Sequence, residues 1–276
     1  MEETPYVVPI TGSLQIQVYS DLHLDSSSTI PLITPTAPYL FLAGDISQIN
    51  HSSFGDFLEY CNNNWQRVLY VLGNHEFWDL NSDIQSIANN VRKYVNDNNL
   101  DNIEVLFNNI ASLTDDVYVF GSTFCTAPTE VGTIADFSNI RFVGESGVPQ
   151  LLSLGAMQYL SNRDYKAIKY FLQRRDGLKD KKVIIMTHFP PCTTGVSSPI
   201  YDNESAAVKS YYAHPDGTLA TFTGLDNVIC WIGGHTHYSY DFVEPQTGVR
   251  LISNQMGYTT ESNTGYNESG LFTVGW

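Results

Sequence analysis

The sequence predicts an α/β protein built on mainly parallel strands, and three observations support this. Short apolar runs typical of buried strands alternate with segments whose apolar residues recur at helical spacing. The order strand, helix, strand, helix predicts parallel strands joined by right-handed crossovers. Five apolar runs end in Asp, Asn or His, at the strand ends where α/β sheets gather their ligands. No linker, repeat or low-complexity tract divides the 276 residues, so we predict a single domain spanning 1–276.

The first half of the chain carries the clearest alternation. Strands are predicted at 14–19, 39–43 and 67–72, because each is a short apolar run. The apolar side chains at positions 54, 57, 58 and 61 form one helical face between the second and third strands. A second helix follows, with its buried stripe between residues 84 and 95.

The second half predicts more strands and one long helix. A polar cluster at 161–164 is predicted to begin this helix, which ends at Gly177. The apolar and alternating runs predict strands at 103–107, 110–113, 117–120, 182–186, 228–232, 240–243, 250–253 and 271–274.

Two long stretches, 126–155 and 190–224, have no clean period and contain scattered Gly, Pro and Ser. Such loops in a compact domain are usually functional, so we predict that both cover the site as cap elements. Asp136, Asn139 and Arg141 are candidate substrate contacts in the first stretch, and tyrosines of the second could stack a base. The alternative is that both are surface loops whose tyrosines pack locally.

Composition excludes several classes of protein. The net charge of −15 and the pI near 4.6 disfavour binding to duplex nucleic acid, because an acidic surface repels the phosphate backbone. No apolar run approaches the roughly 20 residues that cross a bilayer. The acidic N-terminus lacks a signal pattern, so we expect no membrane association and a cytoplasmic protein. The four cysteines are too scattered for a disulfide framework or a zinc finger and are expected to be structural.

The polar residues at the strand ends predict a metal site. A lone strand-end Asp or His more often caps a turn, but five of the seven histidines end apolar runs. Two pairs, Asp21 with His23 and His235 with His237, are spaced i and i+2, which points both side chains the same way in an extended segment. The other two histidines, His51 and His214, are expected at the surface. The candidate ligands are Asp21, His23, Asp45, Asn74, His188, His235 and His237, which are too many for one tetrahedral ion and suit two.

The blocks that carry these residues resemble the calcineurin-like metallophosphoesterases. In chain order they are Asp21-x-His23, Gly44-Asp45, Gly73-Asn74-His75-Glu76, His188 and Gly234-His235-x-His237. The match spans residues 14 to about 258, and its flanks look most like the small stand-alone phosphohydrolases of that family. The resemblance implies a four-layer α/β/β/α sandwich in which two mixed sheets are flanked by helices.

The resemblance also implies the roles of the site residues. Asp21, His23 and His237 would hold one ion, Asn74, His188 and His235 would hold the other, and Asp45 would bridge them. His75 would act as an acid or orient the phosphate without being a ligand. The ions would be Mn, Fe or Zn, and the reaction would be attack on phosphorus by a hydroxide bridging them.

Departures from related subfamilies narrow the expected activity. Gln48 stands where purple acid phosphatases carry an iron-binding Tyr, and the chain lacks the V-D-R-G continuation of protein Ser/Thr phosphatases. A phosphomonoesterase or phosphodiesterase acting on a small or nucleotide-like substrate remains. The alternatives are a metal-binding protein-interaction scaffold with little turnover and a nuclease.

Overall fold

The computed structural model describes residues 12–26, 33–130, 132–144, 147–174 and 177–276. Five α-helices lie within these ranges: α1 (Ser52–Asn64), α2 (Ile84–Asp97), α3 (Asp136–Asn139), α4 (Leu154–Arg174) and α5 (Ala206–Lys209). The strands are β1 (Ser13–Tyr19), β2 (Tyr39–Ala43), β3 (Arg67–Val71), β4 (Ile103–Leu106), β5 (Asn109–Ser112), β6 (Val117–Ser122), β7 (Arg141–Val143), β8 (Pro149–Leu151), β9 (Lys182–Thr187), β10 (Val228–Ile232), β11 (Tyr240–Val243), β12 (Arg250–Ser253) and β13 (Leu271–Gly275).

The strands form two large mixed sheets and a small hairpin. The first sheet has the order β13-β1-β2-β3-β4, and the second has the order β11-β12-β10-β9-β6-β5. Strands β1 to β4 are parallel, as are β6, β9, β10 and β12. Antiparallel strands occupy one edge of the first sheet and both edges of the second. The predicted parallel core is confirmed, and β7 pairs with β8 as a separate hairpin.

The core lies in three apolar layers that separate four layers of secondary structure. Between the sheets, the inner faces of β1, β2 and β3 pack against side chains of β6, β9, β10 and β12. Helices α1 and α2 pack on the outer face of the first sheet. The C-terminal half of α4 covers the outer face of the second sheet, together with part of 190–224. The α/β/β/α arrangement of two mixed sheets flanked by helices is therefore confirmed.

The third predicted helix begins earlier than expected. Helix α4 starts at Leu154, so Ser161 and Asp164, which were expected at its start, are buried in its middle. The Asp164 carboxylate accepts hydrogen bonds from the Asn108 side chain (2.7 Å) and the Cys125 N–H (3.1 Å). The cap prediction was therefore wrong, because Asp164 is polar in order to bind distant parts of the chain and not in order to cap the helix. The residues just before Gly177, at 175–176, lie outside the described part of the chain.

Two further findings concern the cysteines and the helices. All four cysteines are free and buried, in agreement with a structural role. Within the described ranges, no helix is long and apolar enough to cross a membrane.

Candidate metal centre

Five strand ends bring the candidate ligands to one place between the two sheets. Asp21 follows β1, Asp45 follows β2 and Asn74 follows β3, at the carboxyl ends of neighbouring parallel strands. His188 follows β9 and His235 follows β10, which are neighbours in the second sheet. The predicted convergence of these strand ends is present.

The backbone at these strand ends is left-handed rather than extended. Five of the candidate ligands have positive φ: Asp21 (55°), His23 (44°), Asp45 (53°), His235 (74°) and His237 (50°). The expectation that the i, i+2 pairs share a side because the chain is extended was therefore wrong. Positive φ is uncommon for residues other than glycine, and its concentration here is typical of a strained functional site.

The first group of facing side chains consists of Asp21, His23 and His237, whose ligand atoms lie within 4.8 Å of one another. The Nε2 atoms of His23 and His237 are 3.0 Å apart, and Asp21 Oδ1 lies 3.5 Å from His237 Nε2. The Asp21 carboxylate is further held by the Ser20 hydroxyl (2.6 Å) and the His235 N–H (3.0 Å).

The second group consists of Asp45, His188 and His235, whose ligand atoms also lie within 4.8 Å of one another. Asp45 Oδ1 is 3.4 Å from His188 Nε2, and Asn74 Oδ1 is 3.1 Å from the same nitrogen. The opposite nitrogen, His188 Nδ1, donates to the Ala43 carbonyl at 2.8 Å. Because that bond occupies Nδ1, Nε2 is the atom that faces Asp45 and Asn74.

The charges of the site match the chemistry of divalent cations. Asp21 and Asp45 are 0% and 2% exposed, and their ion-pair partners within the described residues are histidines rather than lysine or arginine. Burial, the largest single effect, lowers the pKa of His188, but the Asp45 and Asp21 carboxylates and the hydrogen bond to the Ala43 carbonyl together outweigh it and raise that pKa to about 10. A proton on His188 thus compensates the negative charge of the buried aspartates. A bound cation at the same place would compensate that charge instead.

Two other imidazoles of the site, those of His23 and His235, are held in the neutral form that metal ligands need. Burial lowers the pKa of His23 to about 3, and burial together with His188 holds the pKa of His235 well below its ordinary value. The Nδ1 atom of His23 is buried without a hydrogen-bond partner in the described chain. The carboxylate, imidazole and amide donors therefore fit bound divalent metal ions.

Glu76, to which the sequence assigned no role, fastens the loops that carry two candidate ligands. Its carboxylate accepts the N–H groups of Asp45 (2.9 Å), Ile46 (2.6 Å) and Gly73 (2.7 Å). The Tyr70 hydroxyl donates a fourth hydrogen bond at 2.7 Å. Burial and the neighbouring Asp45 raise the pKa of Glu76 to about 7.

Gly73 is required by a close approach rather than by a special turn. A Cβ atom there would lie 2.6 Å from the Asp45 nitrogen and 2.7 Å from His188 Cε1, and closer still to the Asp45 carboxylate. Gly44 has φ of +90°, and a Cβ atom at that position would lie 2.5 Å from His188 Nδ1. Both glycines therefore allow the ligand loops of the two sheets to meet.

His75 lies beside both groups and is held by aromatic neighbours. Its ring stacks on Trp78, with centroids 3.7 Å apart, and its Nε2 is 3.2 Å from the Tyr258 hydroxyl. A ring nitrogen of His75 also lies within 4.8 Å of ligand atoms of His23 and Asp45, so geometry alone would allow it to bind a metal. Its Nδ1 is buried and has no hydrogen-bond partner in the described chain.

The three candidate substrate contacts lie in different surroundings. Asp136 is buried at the site, where its Oδ1 accepts hydrogen bonds from Asn74 Nδ2 (3.0 Å) and Trp78 Nε1 (2.8 Å). Asn139 donates to the Ala135 carbonyl, and Arg141 donates to the carbonyls of Leu80 and Pro149. These hydrogen bonds do not bring Asn139 or Arg141 to the site, and their contact with substrate stays a prediction.

The two candidate cap stretches are joined to each other. The Tyr211 hydroxyl donates to the Glu130 carbonyl and accepts from the Gly132 N–H. Asp136 connects the first stretch to Asn74, and the Val196 carbonyl connects the second to the Thr236 hydroxyl (2.5 Å), between two candidate ligands. Residues 131, 145 and 146 of the first stretch lie outside the described residues.

The two histidines outside the motif have structural contacts. His51 caps α1 by accepting the Ser53 N–H and is partly exposed. His214 was expected at the surface, but it is 6% exposed, stacks on Phe124 and has its Nε2 3.0 Å from the Phe124 carbonyl. The expectation failed for His214 because a turn-rich sequence does not show that this part of 190–224 packs against Phe124.

Residues after β12 complete the surroundings of the site, and the sequence did not assign them roles. Glu261 Oε2 lies 2.6 Å from His237 Nδ1, and the Tyr258 ring stacks on His23 with centroids 4.3 Å apart. Their place in the chain could have indicated a role, because they follow β12, a sixth strand that ends at the site. Its carboxyl end lies beside that of β1, where Ser20 pairs with Gln255.

Comparisons with known proteins agree with this architecture. A family model described as calcineurin-like phosphoesterase matches residues 14–239. An uncharacterized protein, L509, of Acanthamoeba polyphaga mimivirus is 27% identical over 238 residues, which cover 82% of this chain and 80% of the viral protein. The crystal structure of phosphopantetheinyl hydrolase from Mycobacterium tuberculosis is similar in fold, with a TM-score of 0.61 and 19% identity over 95% of this chain and 96% of that one. The chain therefore belongs to the calcineurin-like phosphoesterase family, whose members are metal-dependent phosphoester hydrolases.

Proposed function

We propose that this protein is a phosphoesterase that binds two divalent cations and hydrolyses a small or nucleotide-like phosphoester. The observation that carries the proposal is that Asp45 belongs to the second ligand group and also lies within 4.8 Å of a ligand atom of His23 in the first group. Asp21, His23 and His237 would hold one cation. Asn74, His188 and His235 would hold the other, and Asp45 would be shared between them.

When bound, such cations supply a nucleophile at neutral pH and stabilise charge on the phosphoryl oxygens. The protein supplies the geometry. The His75 N–H holds the Asp45 carboxylate, and the Ser20 hydroxyl and the His235 N–H hold the Asp21 carboxylate. Glu76 fixes the Asp45 backbone, and Asp136 turns Asn74 so that its amide oxygen faces His188. His75 would donate a proton to the leaving oxygen or orient the phosphoryl group. Its contacts with Trp78 and Tyr258 restrict the ring to one position.

Substrate choice is assigned to the two joined stretches, 126–155 and 190–224, within a single domain that spans 1–276. Their hydrogen bonds to Asn74 and Thr236 support this, because they connect both stretches to ligand-bearing loops. The net charge of −15 supports a small substrate over duplex nucleic acid.

The test combines metal analysis with two substrates. The purified protein is expected to bind two equivalents of Mn, Fe or Zn, and chelation should abolish hydrolysis of nitrophenyl phosphate or of its diester. The preferred substrate of that pair then identifies a monoesterase or a diesterase.

A His75→Ala variant separates the proposed roles of the site residues. We expect it to keep both metal equivalents and to lose about 10²- to 10⁴-fold in kcat, the range for a lost acid or base. His51→Ala is the control, since that imidazole lies outside the site. Metal binding without hydrolysis of any phosphoester would instead favour a scaffold.

A further inference from the structure

We propose that residues 257–261, which follow β12, form a positioning turn for the metal centre, in which Glu261 holds His237 and Tyr258 holds His75. The inference rests on the proposed function, because it assigns His237 to one cation and His75 to the leaving group. It adds two residues that none of the ligand motifs contains.

Glu261 contacts the side of His237 that faces away from the other ligands. Its Oε2 lies 2.6 Å from His237 Nδ1, while His237 Nε2 faces His23 and Asp21. A carboxylate on one imidazole nitrogen fixes the tautomer, so the other nitrogen is left unprotonated and aimed at the metal. Glu261 therefore acts on the first group of ligands.

Tyr258 contacts the site through both its ring and its hydroxyl. The ring stacks on His23 at 27° between the planes and meets His237 edge-on, with centroids 4.9 Å apart. The hydroxyl lies 3.2 Å from His75 Nε2. The ring thus packs against ligands of one cation, and the hydroxyl fixes a residue that is not proposed as a ligand.

The turn is itself held at both ends, so these contacts are pre-organised. Gly257 N–H donates to the Asp21 carbonyl at 3.0 Å, which ties the start of the turn to a ligand residue. Glu261 Oε2 also accepts the Tyr258 N–H at 2.8 Å, and the Glu261 N–H donates back to the Tyr258 carbonyl at 2.9 Å. One carboxylate oxygen therefore links the turn backbone to His237.

Two substitutions test the two halves of the turn separately. Glu261→Ala should weaken one of the two bound cations by about 10- to 100-fold in a chelator-competition titration and leave the other unchanged. Glu261→Gln, which keeps an acceptor oxygen, should restore most of that affinity. Tyr258→Phe keeps the stacked ring, so both cation affinities should stay at the parental value, while kcat falls about tenfold at unchanged KM.

The controls are Glu268→Ala and Tyr170→Phe, which change the same residue types at exposed positions away from the site. Melting temperatures establish that every variant is folded. The proposal is wrong if Glu261→Ala weakens both cations equally or neither, or if Tyr258→Phe alters cation binding or leaves kcat at the parental value. A parental protein that binds no cation would overturn the proposed function first, and this proposal with it.

Discussion

Replacing Gly73 by alanine would insert one methyl group between the two halves of the metal centre. The added Cβ would lie 2.6 Å from the Asp45 nitrogen and 2.7 Å from His188 Cε1, where ordinary contact begins at 3.4 Å. The Asp45 nitrogen and His188 Cε1 must therefore retreat by about 0.7–0.8 Å and the Asp45 carboxylate by more, and these atoms belong to two candidate ligands. Neither can move freely, because Asp45 is held by Glu76 and His188 by the Ala43 carbonyl.

The displacement sets the expected size of the effect. A shift of about 1 Å in a reacting group costs about 10²-fold in rate, and overpacking a well-packed site costs about 1–3 kcal/mol of stability. We therefore expect Gly73→Ala to lower kcat about 100-fold and to weaken the cation held by the second group about tenfold or more. Titration with metal, hydrolysis of nitrophenyl phosphate and thermal unfolding measure the three effects.

A matched control is available in the same chain. At Gly155, near the start of α4, an added Cβ meets no atom within 4 Å, so Gly155→Ala should stabilise the fold by no more than about 1 kcal/mol and leave kcat unchanged. If Gly73→Ala kept kcat within threefold of the parental value, the steric argument for this glycine would be refuted.

Two further predictions concern Asp136 and His214. Asp136→Ala removes the hydrogen-bond partner of the buried Asn74 amide. The cation held by the second group should therefore bind about 10- to 100-fold more weakly, while KM stays unchanged. A raised KM with normal metal binding would show instead that Asp136 contacts the substrate. Burial lowers the pKa of His214 to about 4, below its ordinary value of 6.5, so the unfolded chain binds a proton that the folded chain excludes. Stability should therefore fall by about 3 kcal/mol as the pH drops from 6.5 to 4, and His214→Gln should flatten this part of the curve in urea titrations at several pH values. An unchanged slope would show that His214 does not titrate with unfolding.

The sequence identified the residues that converge at the candidate site better than it identified the contacts that hold them. Asp45, Asn74 and His188 could be found because each directly follows an apolar run, and strand ends of parallel sheets meet at one edge. Glu261 could not be found in this way, since its partner His237 lies 24 positions away and no local pattern records that contact. Asp136 was selected as a candidate substrate contact, which stays a prediction, and its hydrogen bonds to Asn74 and Trp78 could not be read from the local pattern.

The sequence also failed to predict the backbone conformation of the candidate ligands. The i, i+2 spacing of Asp21 and His23 was correctly connected with a shared site, but through an extended geometry that the chain does not adopt. Periodicity identifies strands and helices well, whereas left-handed single residues depend on tertiary contacts. The polar cluster at Ser161 and Asp164 misled for the same reason, because its partners lie elsewhere in the chain.

Because five candidate ligands have a left-handed backbone, mutational scans of this protein should choose substitutions that tolerate positive φ. At Asp21 and Asp45, replacement by alanine removes a carboxylate and also leaves a residue poorly suited to positive φ, so one measurement mixes two costs. Asparagine tolerates that conformation and preserves side-chain shape, so the aspartate-to-asparagine pair isolates the charge. For His23, His235 and His237, glycine and asparagine are the substitutions whose backbone cost is smallest. A scan that compares these exchanges with alanine would report separately how much each position contributes to holding the chain and how much to holding a cation.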